Sequence, residues 1–600
     1  MTATDLVTPI AATVVELVAI EGMAVRDGGV VAIVEAMKME HEIRAHVDGL
    51  VSEVFVATGD VVEAGTVLMR VVERTAHAVD EPAPTVPSEE TSANADVLRP
   101  ALAEAIARHA LVLDAARPDA IAKRRRLGLR MARENVDDLC DPGSFIEYGA
   151  LAVAAQSRRR DADDLMRNTP ADGMITGIGT INAGRFAGNG VGARCVVMAY
   201  DATVLAGTQG HRNHQKTDRM LGLAHDERLP VVLFAEGGGG RPGDVDLPIV
   251  AGLHVPTFAS FARLAGRVPV VSIVAGRCFA GNAALAGASD LLIATRGANI
   301  GMGGPAMIEG GGLGVFRPEE IGPAEVLATS GVVDVLCDDE ADAVRKAKRF
   351  LGYLQGATAD WAAQPQAALR DALPENRVRA YDVRPIVELL VDVDSALELR
   401  PHYGRAVLTL LARIEGRAVG LVVSQSSEGG GAIDVEAAEK VTRFFGLCER
   451  FALPIVSLVD TPGFMVGPEV EARGQARRAG DLFIAAARVS HRLVAVVLRK
   501  AYGLGAMALV GGGFHAASAV VAWPSAEFGA MGLEGAVRLG YRKELEAVPE
   551  GPERDALYAK LVDEQYARGS ALNMATTLEL DAVIDPAETR SWIVRRLFAR

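Results

Sequence analysis

Leu229-Pro230-Val231-Val232-Leu233-Phe234-Ala235-Glu236 has a counterpart 224 positions later, Leu453-Pro454-Ile455-Val456-Ser457-Leu458-Val459-Asp460. Each is a short apolar run closed by an acid, the pattern of a strand buried on both faces of a parallel sheet. The same spacing carries Pro269-Val270-Val271-Ser272-Ile273-Val274 onto Leu493-Val494-Ala495-Val496-Val497-Leu498, and Gly281 onto Gly505. Two strands, each ending in a glycine-rich turn, recur with equal internal spacing. A pair of homologous α/β domains is the simplest explanation.

The second strand of each half runs into Gly276-Arg277-Cys278-Phe279-Ala280-Gly281-Asn282-Ala283 or Arg499-Lys500-Ala501-Tyr502-Gly503-Leu504-Gly505-Ala506. A turn that opens a helix presents N–H groups with no intrahelical acceptor, and glycine lets a substrate oxygen approach them. Such donors can hold an enolate or another developing oxyanion, each typically contributing about 3 kcal/mol to a transition state. A single glycine-rich turn is as easily a packing device; a matched pair favours chemistry. A bulky residue at Gly281 or Gly505 is expected to cost rate more than stability. Cys278, beside the first turn, reads as a small buried residue rather than a nucleophile.

Composition narrows the class. Six hundred residues suggest three or four packed units. Half the residues are hydrophobic and 63 are glycine, enough for buried sheets with many tight turns. A net charge of −15, from 62 basic and 77 acidic residues, argues against nucleic-acid binding. Five scattered cysteines fit neither a disulfide framework nor a metal site, so a reducing compartment and no metal are expected. No secretory signal pattern opens the chain and no apolar run approaches the ~20 residues of a membrane helix, so the expected location is cytoplasmic, without membrane association.

Upstream, Glu35-Ala36-Met37-Lys38-Met39-Glu40 follows a strand-like run, Val30 to Val34, and precedes short alternating runs broken by Gly49, Gly59-Asp60 and Gly65. This is how small antiparallel sheets are written. A tight hairpin at Ala36 to Met39 would hold Lys38 at an exposed tip. Residues 74–96, rich in proline and acid, read as a flexible linker that lets the preceding domain travel. From Val97 to about Asp138 the pattern is helical, broken in two by Pro118, with Lys123-Arg124-Arg125-Arg126 as a solvated basic face or a phosphate contact.

Residues 6–72 resemble a biotinyl carrier domain, with the Ala-Met-Lys-Met signature complete; Ala12 stands where that family usually has glycine, which puts the local turn in question. The resemblance implies biotin on Lys38, flanked by Met37 and Met39, and a biotin protein ligase as partner. From about residue 100 to 600 the chain resembles the carboxyltransferase (β) subunit of biotin-dependent acyl-CoA carboxylases. The matching pieces are Asp141 to Phe145, Tyr381-Asp382-Val383-Arg384-Pro385, Arg413 to Gly420, Asp460-Thr461-Pro462-Gly463-Phe464, Arg499 to Gly503, and Ala522 to Glu527 followed by Met531-Gly532.

This resemblance implies an α/β fold of two crotonase-like domains behind a small all-β biotinyl domain. The divisions are 1–73 (carrier), 74–96 (linker), 97–370 (acyl-CoA side) and 371–600 (biotin side). It also implies catalysis without a side-chain base: carboxybiotin would release CO2, the ureido nitrogen would take the α-proton, and the enolate would attack CO2. The N–H of Gly281, with that of Ala280, would hold the thioester oxygen. Gly505, with Leu504 or Ala506, would hold the ureido oxygen.

Gly238 and Gly239 are carried over as substrate contacts, within Glu236-Gly237-Gly238-Gly239-Gly240-Arg241, where relatives often read Asp-Ser-Gly-Gly-Ala-Arg. Met507 stands where propionyl-preferring relatives tend to carry an acid, and so suits an apolar acyl chain. Gly503-Leu504-Gly505 and Ser424-Gln425-Ser426 also depart from the family. A separate ATP-dependent biotin carboxylase and a homo-oligomer, a hexamer by resemblance, are the other implied partners. The alternatives are the reverse reaction, in a decarboxylase or transcarboxylase, and a silent carrier scaffold.

Overall fold

The computed structural model describes residues 2–73, 98–186, 192–247 and 251–598. The linker expected at 74–96 lies outside the described residues. The chain divides into two compact units, Met1–Arg99 and Pro100–Arg600.

The first unit is a sandwich of two four-stranded antiparallel sheets. Alternation along its strands sends Val14, Val31, Val34, Leu68 and Val71 into one core. Thr8 is buried and its hydroxyl donates to the Ile10 carbonyl at 2.8 Å. Ala12 opens the strand Ala12–Leu17, opposite Val62, with its methyl in the core. The turn in question therefore forms without glycine.

In the second unit the repeat is visible as topology. The first sheet runs, edge to edge, through strands beginning at residues 146, 174, 194, 231, 270, 291 and 335; the second runs through 397, 407, 417, 455, 493, 519 and 582. In both, the first three strands pair antiparallel and the rest parallel. The parallel strands are the apolar runs of the sequence, buried on both faces: Val231–Phe234 and Val270–Val274 are wholly inside, as is Ile455–Thr461. One contiguous core reaches from Ala132 to Leu580, so the halves are packed together rather than strung out.

Three helices, Pro100–Leu111, Pro118–Arg126 and Ala132–Leu139, occupy the stretch expected to hold two. Pro118 begins the second, at a first-turn position where its missing N–H costs nothing. Among the described residues no helix is long and apolar enough to cross a membrane, and no group of three or more His, Cys, Asp or Glu is placed to hold a metal ion.

Candidate active site

Lys38 occupies the tip of the hairpin formed by Val30–Ala36 and Met39–Arg44, closed by the pair Ala36↔Met39. Met37 and Lys38, the two turn residues, have φ of 52° and 64°. That is the left-handed pair of a type I′ turn, usually given to Asn-Gly. Met37 is 98% exposed and Met39 65%. Two thioether side chains held in water beside an exposed amine form a surface a modifying enzyme can grip, so the hairpin fits covalent biotin.

The turns of the second unit lie where each sheet continues into a second layer. In the first half, Val270–Val274 ends and Arg277–Phe279 starts a separate three-stranded sheet with Gly237–Gly238 and Asn299–Gly301. In the second half one strand, Leu493–Tyr502, runs through both layers and meets Glu527–Gly529 at its end.

Strand register corrects the constant offset read from the sequence. Val231 pairs with Val270, but its counterpart Ile455 pairs with Leu493, so the offset falls from 224 to 223 at the second strand. Phe279↔Gly301 then matches Tyr502↔Gly529. Continuing that register, Ala280 corresponds to Gly503, Gly281 to Leu504 and Asn282 to Gly505. Backbone conformation agrees: Ala280 and Gly503 both have positive φ, 52° and 58°. The short helix Gly281–Gly287 follows Ala280, whereas Gly503–Leu509 begins on Gly503 itself.

Ala280 cannot be the donor the resemblance implied. Its N–H already donates to the Gly301 carbonyl at 2.9 Å. What Ala280 provides is the reversal, φ 52° and ψ −121°, that points the next N–H groups out of the sheet. The free donors of the first turn are those that open the helix, beginning with Gly281. A Cβ on Gly281 would sit 2.2 Å from Gln209 Oε1 and 3.1 Å from Phe258 Cζ. Gln209 is buried, and its amide donates to the Tyr200 hydroxyl at 3.1 Å. It supports the turn from below. Only the Gly281 contact reveals it, since Thr208-Gln209-Gly210 carries no chemical signature in the sequence.

Gly237 to Gly240 lie against this turn. Gly238 pairs with Phe279, and Gly239 N–H donates to the Phe279 carbonyl at 3.2 Å. A Cβ on Gly239 would lie 3.2 Å from that of Ala280, whereas one on Gly238 would meet nothing within 4 Å. Gly238 is thus the open face of the strip and Gly239 its packed face. Asn282 ties strip to turn, donating to the Gly207 and Glu236 carbonyls at 3.1 and 2.8 Å. Glu236 is held by Arg124 in a two-pronged ion pair of 2.5 and 3.0 Å. Arg124 is 6% exposed, which corrects the solvated-face reading of the basic run for that residue; Lys123, Arg125 and Arg126 do face solvent. Lys123, Arg124, Glu236 and Gly276 line a cavity of about 840 Å³.

The second turn is packed against backbone rather than a side chain. A Cβ on Gly505 would lie 2.6 Å from Gly463 Cα and 2.8 Å from Phe464 N, both backbone atoms. Leu504 is 62% exposed. Met507 lines a cavity of about 670 Å³ with Gly503, Phe514, Phe528, Leu533 and Met574. Behind the turn, Arg499 and Asp460 form a buried ion pair of 3.0 Å beneath the Tyr381 ring. The Tyr502 hydroxyl donates to Glu527 Oε1 at 2.7 Å, and burial raises the Glu527 pKa. Cys278 is wholly buried, and that burial pushes its thiol pKa up, away from the thiolate.

Comparison with known proteins matches this geometry. The family model described as "Carboxyl transferase domain" fits residues 123–600, and "Biotin-requiring enzyme" fits residues 1–71. The methylmalonyl-CoA carboxyltransferase 12S subunit of Propionibacterium freudenreichii subsp. shermanii is 32% identical over 488 residues, 80% of this chain and 90% of that protein. The biotin-dependent long chain acyl-coenzyme A carboxylase beta4 subunit of Mycobacterium tuberculosis is 32% identical over 489 residues, 78% of this chain and 88% of its own. A solved single-chain, multi-domain long-chain acyl-CoA carboxylase superposes with a TM-score of 0.80 at 52% identity. That match covers 99% of this chain, and this chain spans 56% of the solved one. The chain therefore belongs to the carboxyl transferase domain family, as a biotin-dependent carboxyltransferase whose biotinyl domain precedes the transferase domain.

Proposed function

We propose that this protein moves a carboxyl group between biotin on its own Lys38 and the α-carbon of an acyl-CoA, as the carboxyltransferase component of an acyl-CoA carboxylase. The observation that carries the reading is the pair of corresponding turns, one in each half, each with a left-handed residue where a strand gives way to a short helix with free opening N–H groups. Biotin, when attached, supplies a carboxyl group carried on its ureido nitrogen. The chain's own contribution is to hold two oxygens that gain negative charge. Gly281, in residues 97–370, would donate to the acyl thioester oxygen, with Gly238 and Gly239 lining the approach. Leu504 and Gly505, in residues 371–600, would donate to the ureido oxygen. The donors are fixed before reaction, so no reorganisation is needed as charge develops.

The acyl group we propose is long and apolar. Met507, Phe514, Phe528, Leu533 and Met574, on the biotin side of a second copy that would complete the site in the oligomer, offer it flexible and aromatic walls, and two of the similar proteins are named for long-chain substrates. Lys123, exposed at the mouth of the first-half cavity, suits a CoA phosphate. A separate ATP-dependent biotin carboxylase would load the carrier, a biotin protein ligase would attach biotin, and the chains would assemble as a hexamer in the cytoplasm. The solved 12S transcarboxylase, 29% identical with a TM-score of 0.72, is described as a hexamer. The 12S relative favours a second reading of the same site, transfer between two acyl carriers without ATP.

Supplying the biotinylated chain with labelled bicarbonate, ATP, a biotin carboxylase and acyl-CoAs from acetyl- to palmitoyl-CoA tests the proposal. Acid-stable label should appear on acyl-CoA, most with the longer chains. Label that stays on protein with every acyl-CoA would overturn the carboxylase reading, and a preference for acetyl-CoA would overturn the long-chain one.

A further inference from the structure

A cavity of about 470 Å³ lies apart from both turns, between the helix Glu340–Leu354 and the strand Val407–Ile414. Five of its lining side chains are cationic, Arg185, Arg345, Lys348, Arg349 and Arg413, against the carboxylates of Asp360, Asp392 and Asp394. In a chain of net charge −15 this excess is local. The carboxylates cancel it only in part: with Arg345 paired to Asp342 at 3.1 Å, Arg185, Lys348, Arg349 and Arg413 face the carboxylates of Asp360 and Asp394. Asp392 is spent on Arg590 and on the N–H groups of Glu415 and Gly416, at 3.0 and 2.7 Å. Arg349 donates to the Asp394 carbonyl, not its carboxylate, and at 3.1 Å to the Tyr353 hydroxyl. Among the described residues neither Arg185 nor Lys348 has a carboxylate within ion-pairing reach.

Arg413 forms the floor. It is 5% exposed, and its guanidinium donates to the carbonyls of Gly352 and Gly356 at 2.6 and 2.9 Å and to that of Gly416, with no carboxylate partner. Phe186 and Tyr353 cover it, their ring centres 5.5 and 5.6 Å away. Carbonyls satisfy its hydrogens without neutralising its charge. Burial, and then the repulsion of Arg185, lowers the Arg413 pKa; an anion in the cavity would offset both by attraction. At the rim, Trp361 is 48% exposed, one face lying 5.3 Å from the Arg590 guanidinium. An indole steadied on one side and open on the other is a platform for a planar base.

We propose that this cavity is a second ligand site, for a nucleoside polyphosphate: phosphates on Arg185, Lys348 and Arg349 over the fixed charge of Arg413, base on Trp361. Guanidinium forks and an ammonium together match adjacent phosphate groups. Because its walls come from both halves, a ligand here would brace one against the other.

Calorimetric titration of the full biotinylated chain with pyrophosphate and with ADP tests the assignment. Both should bind saturably, and Arg185→Glu and Lys348→Glu should each weaken both at least tenfold. Trp361→Ala should weaken ADP about tenfold and leave pyrophosphate unchanged, as stacking energies imply. Lys123→Glu, in the acyl-CoA cavity proposed above, should leave both unchanged. Lys348→Gln, with unaltered thermal unfolding, guards against a folding defect. Absence of saturable binding to the wild-type chain would overturn the proposal. So would binding lost with Lys123→Glu but kept with Arg185→Glu and Lys348→Glu. Unchanged ADP affinity in Trp361→Ala would overturn the nucleoside part.

Discussion

The two halves of the second unit perform one backbone manoeuvre with opposite residues. The first places Ala280 at φ 52°, ψ −121°, and leaves Gly281 to open the helix; the second places Gly503 at φ 58° as the first residue of its helix, with Leu504 next. For alanine the reversal is strained by about 1–3 kcal/mol, for glycine it is nearly free. The first half thus spends stability to keep a bare Gly281 against a soft neighbour, the Gln209 side chain. The second is unstrained, but its Gly505 lies against rigid backbone at Gly463. Equivalent turns have become unequal in what they tolerate.

The same contrast holds in the helices that back the sheets. His211–Glu227 and Val435–Arg450 begin 224 residues apart, which matches Lys216 with Lys440. Lys440 is buried and Lys216 half-buried, and desolvation lowers their pKa to about 7 and about 8. Lys216 donates to the Ala171 carbonyl at 2.9 Å and to that of Met174, whereas Lys440 has no ion-pair partner among the described residues.

The largest effect that could break this comparison lies at Gly505. Gly505→Ala should abolish transfer and also cost about 1–3 kcal/mol of stability, because backbone atoms cannot step aside. The rate cost expected for a bulky residue at this position would thus come with a measurable stability cost. Gly281→Ala, against a side chain that can move, should keep the fold and lose about 10²-fold in rate if the methyl displaces the N–H from its oxygen, a loss equal to that of one oxyanion donor. Equal denaturation midpoints for the two variants would contradict the asymmetry.

A reciprocal exchange sharpens it. Gly503→Ala, whose Cβ would meet the Ala530 carbonyl at 2.7 Å, should destabilise by about 2 kcal/mol. Ala280→Gly should stabilise by about 1 kcal/mol as strain is released. Chemical denaturation of both variants decides the matter; a destabilised Ala280→Gly would show that the alanine is not strained.

The lysines give the smallest and most specific effect. Below pH 10.5 the unfolded chain holds the Lys440 proton, while the folded chain gives it up above about pH 7. The unfolded state therefore binds more protons between these values, and stability rises with pH across that window. Lys440→Met should remove the slope between about pH 7 and 8, leave only the share of Lys216 above that, and raise stability at neutral pH by about 2 kcal/mol. An unchanged slope would mean that Lys440 finds a partner after all.

Much of this was legible in the sequence because the parallel strands are continuous apolar runs and their repeat needs no alignment beyond counting. The hairpin at Lys38 was legible from its flanking alternation. The one-residue slip between Val270 and Leu493 was not, because an unbroken apolar run such as Leu493 to Leu498 carries no register of its own; only pairing with Ile455 sets it. Reading Ala280 as a donor failed for a related reason, since the Gly301 carbonyl that occupies its N–H comes from a strand 21 positions on. Arg124 looked solvated beside three arginine and lysine neighbours until Glu236 was brought to it across 112 positions.

The central claim, that Lys38 and the turns serve one transfer reaction, is tested most directly by the reverse half-reaction. The purified biotinylated chain, without ATP, is mixed with carboxyl-labelled malonyl-CoA, methylmalonyl-CoA and a longer carboxyacyl-CoA, and label on the protein is counted. Label should reach the biotinylated peptide containing Lys38, should vanish in Lys38→Arg, and should appear much more slowly in Gly281→Ala. No transfer from any donor to a chain whose Lys38 carries biotin would contradict the account and leave a silent carrier in its place.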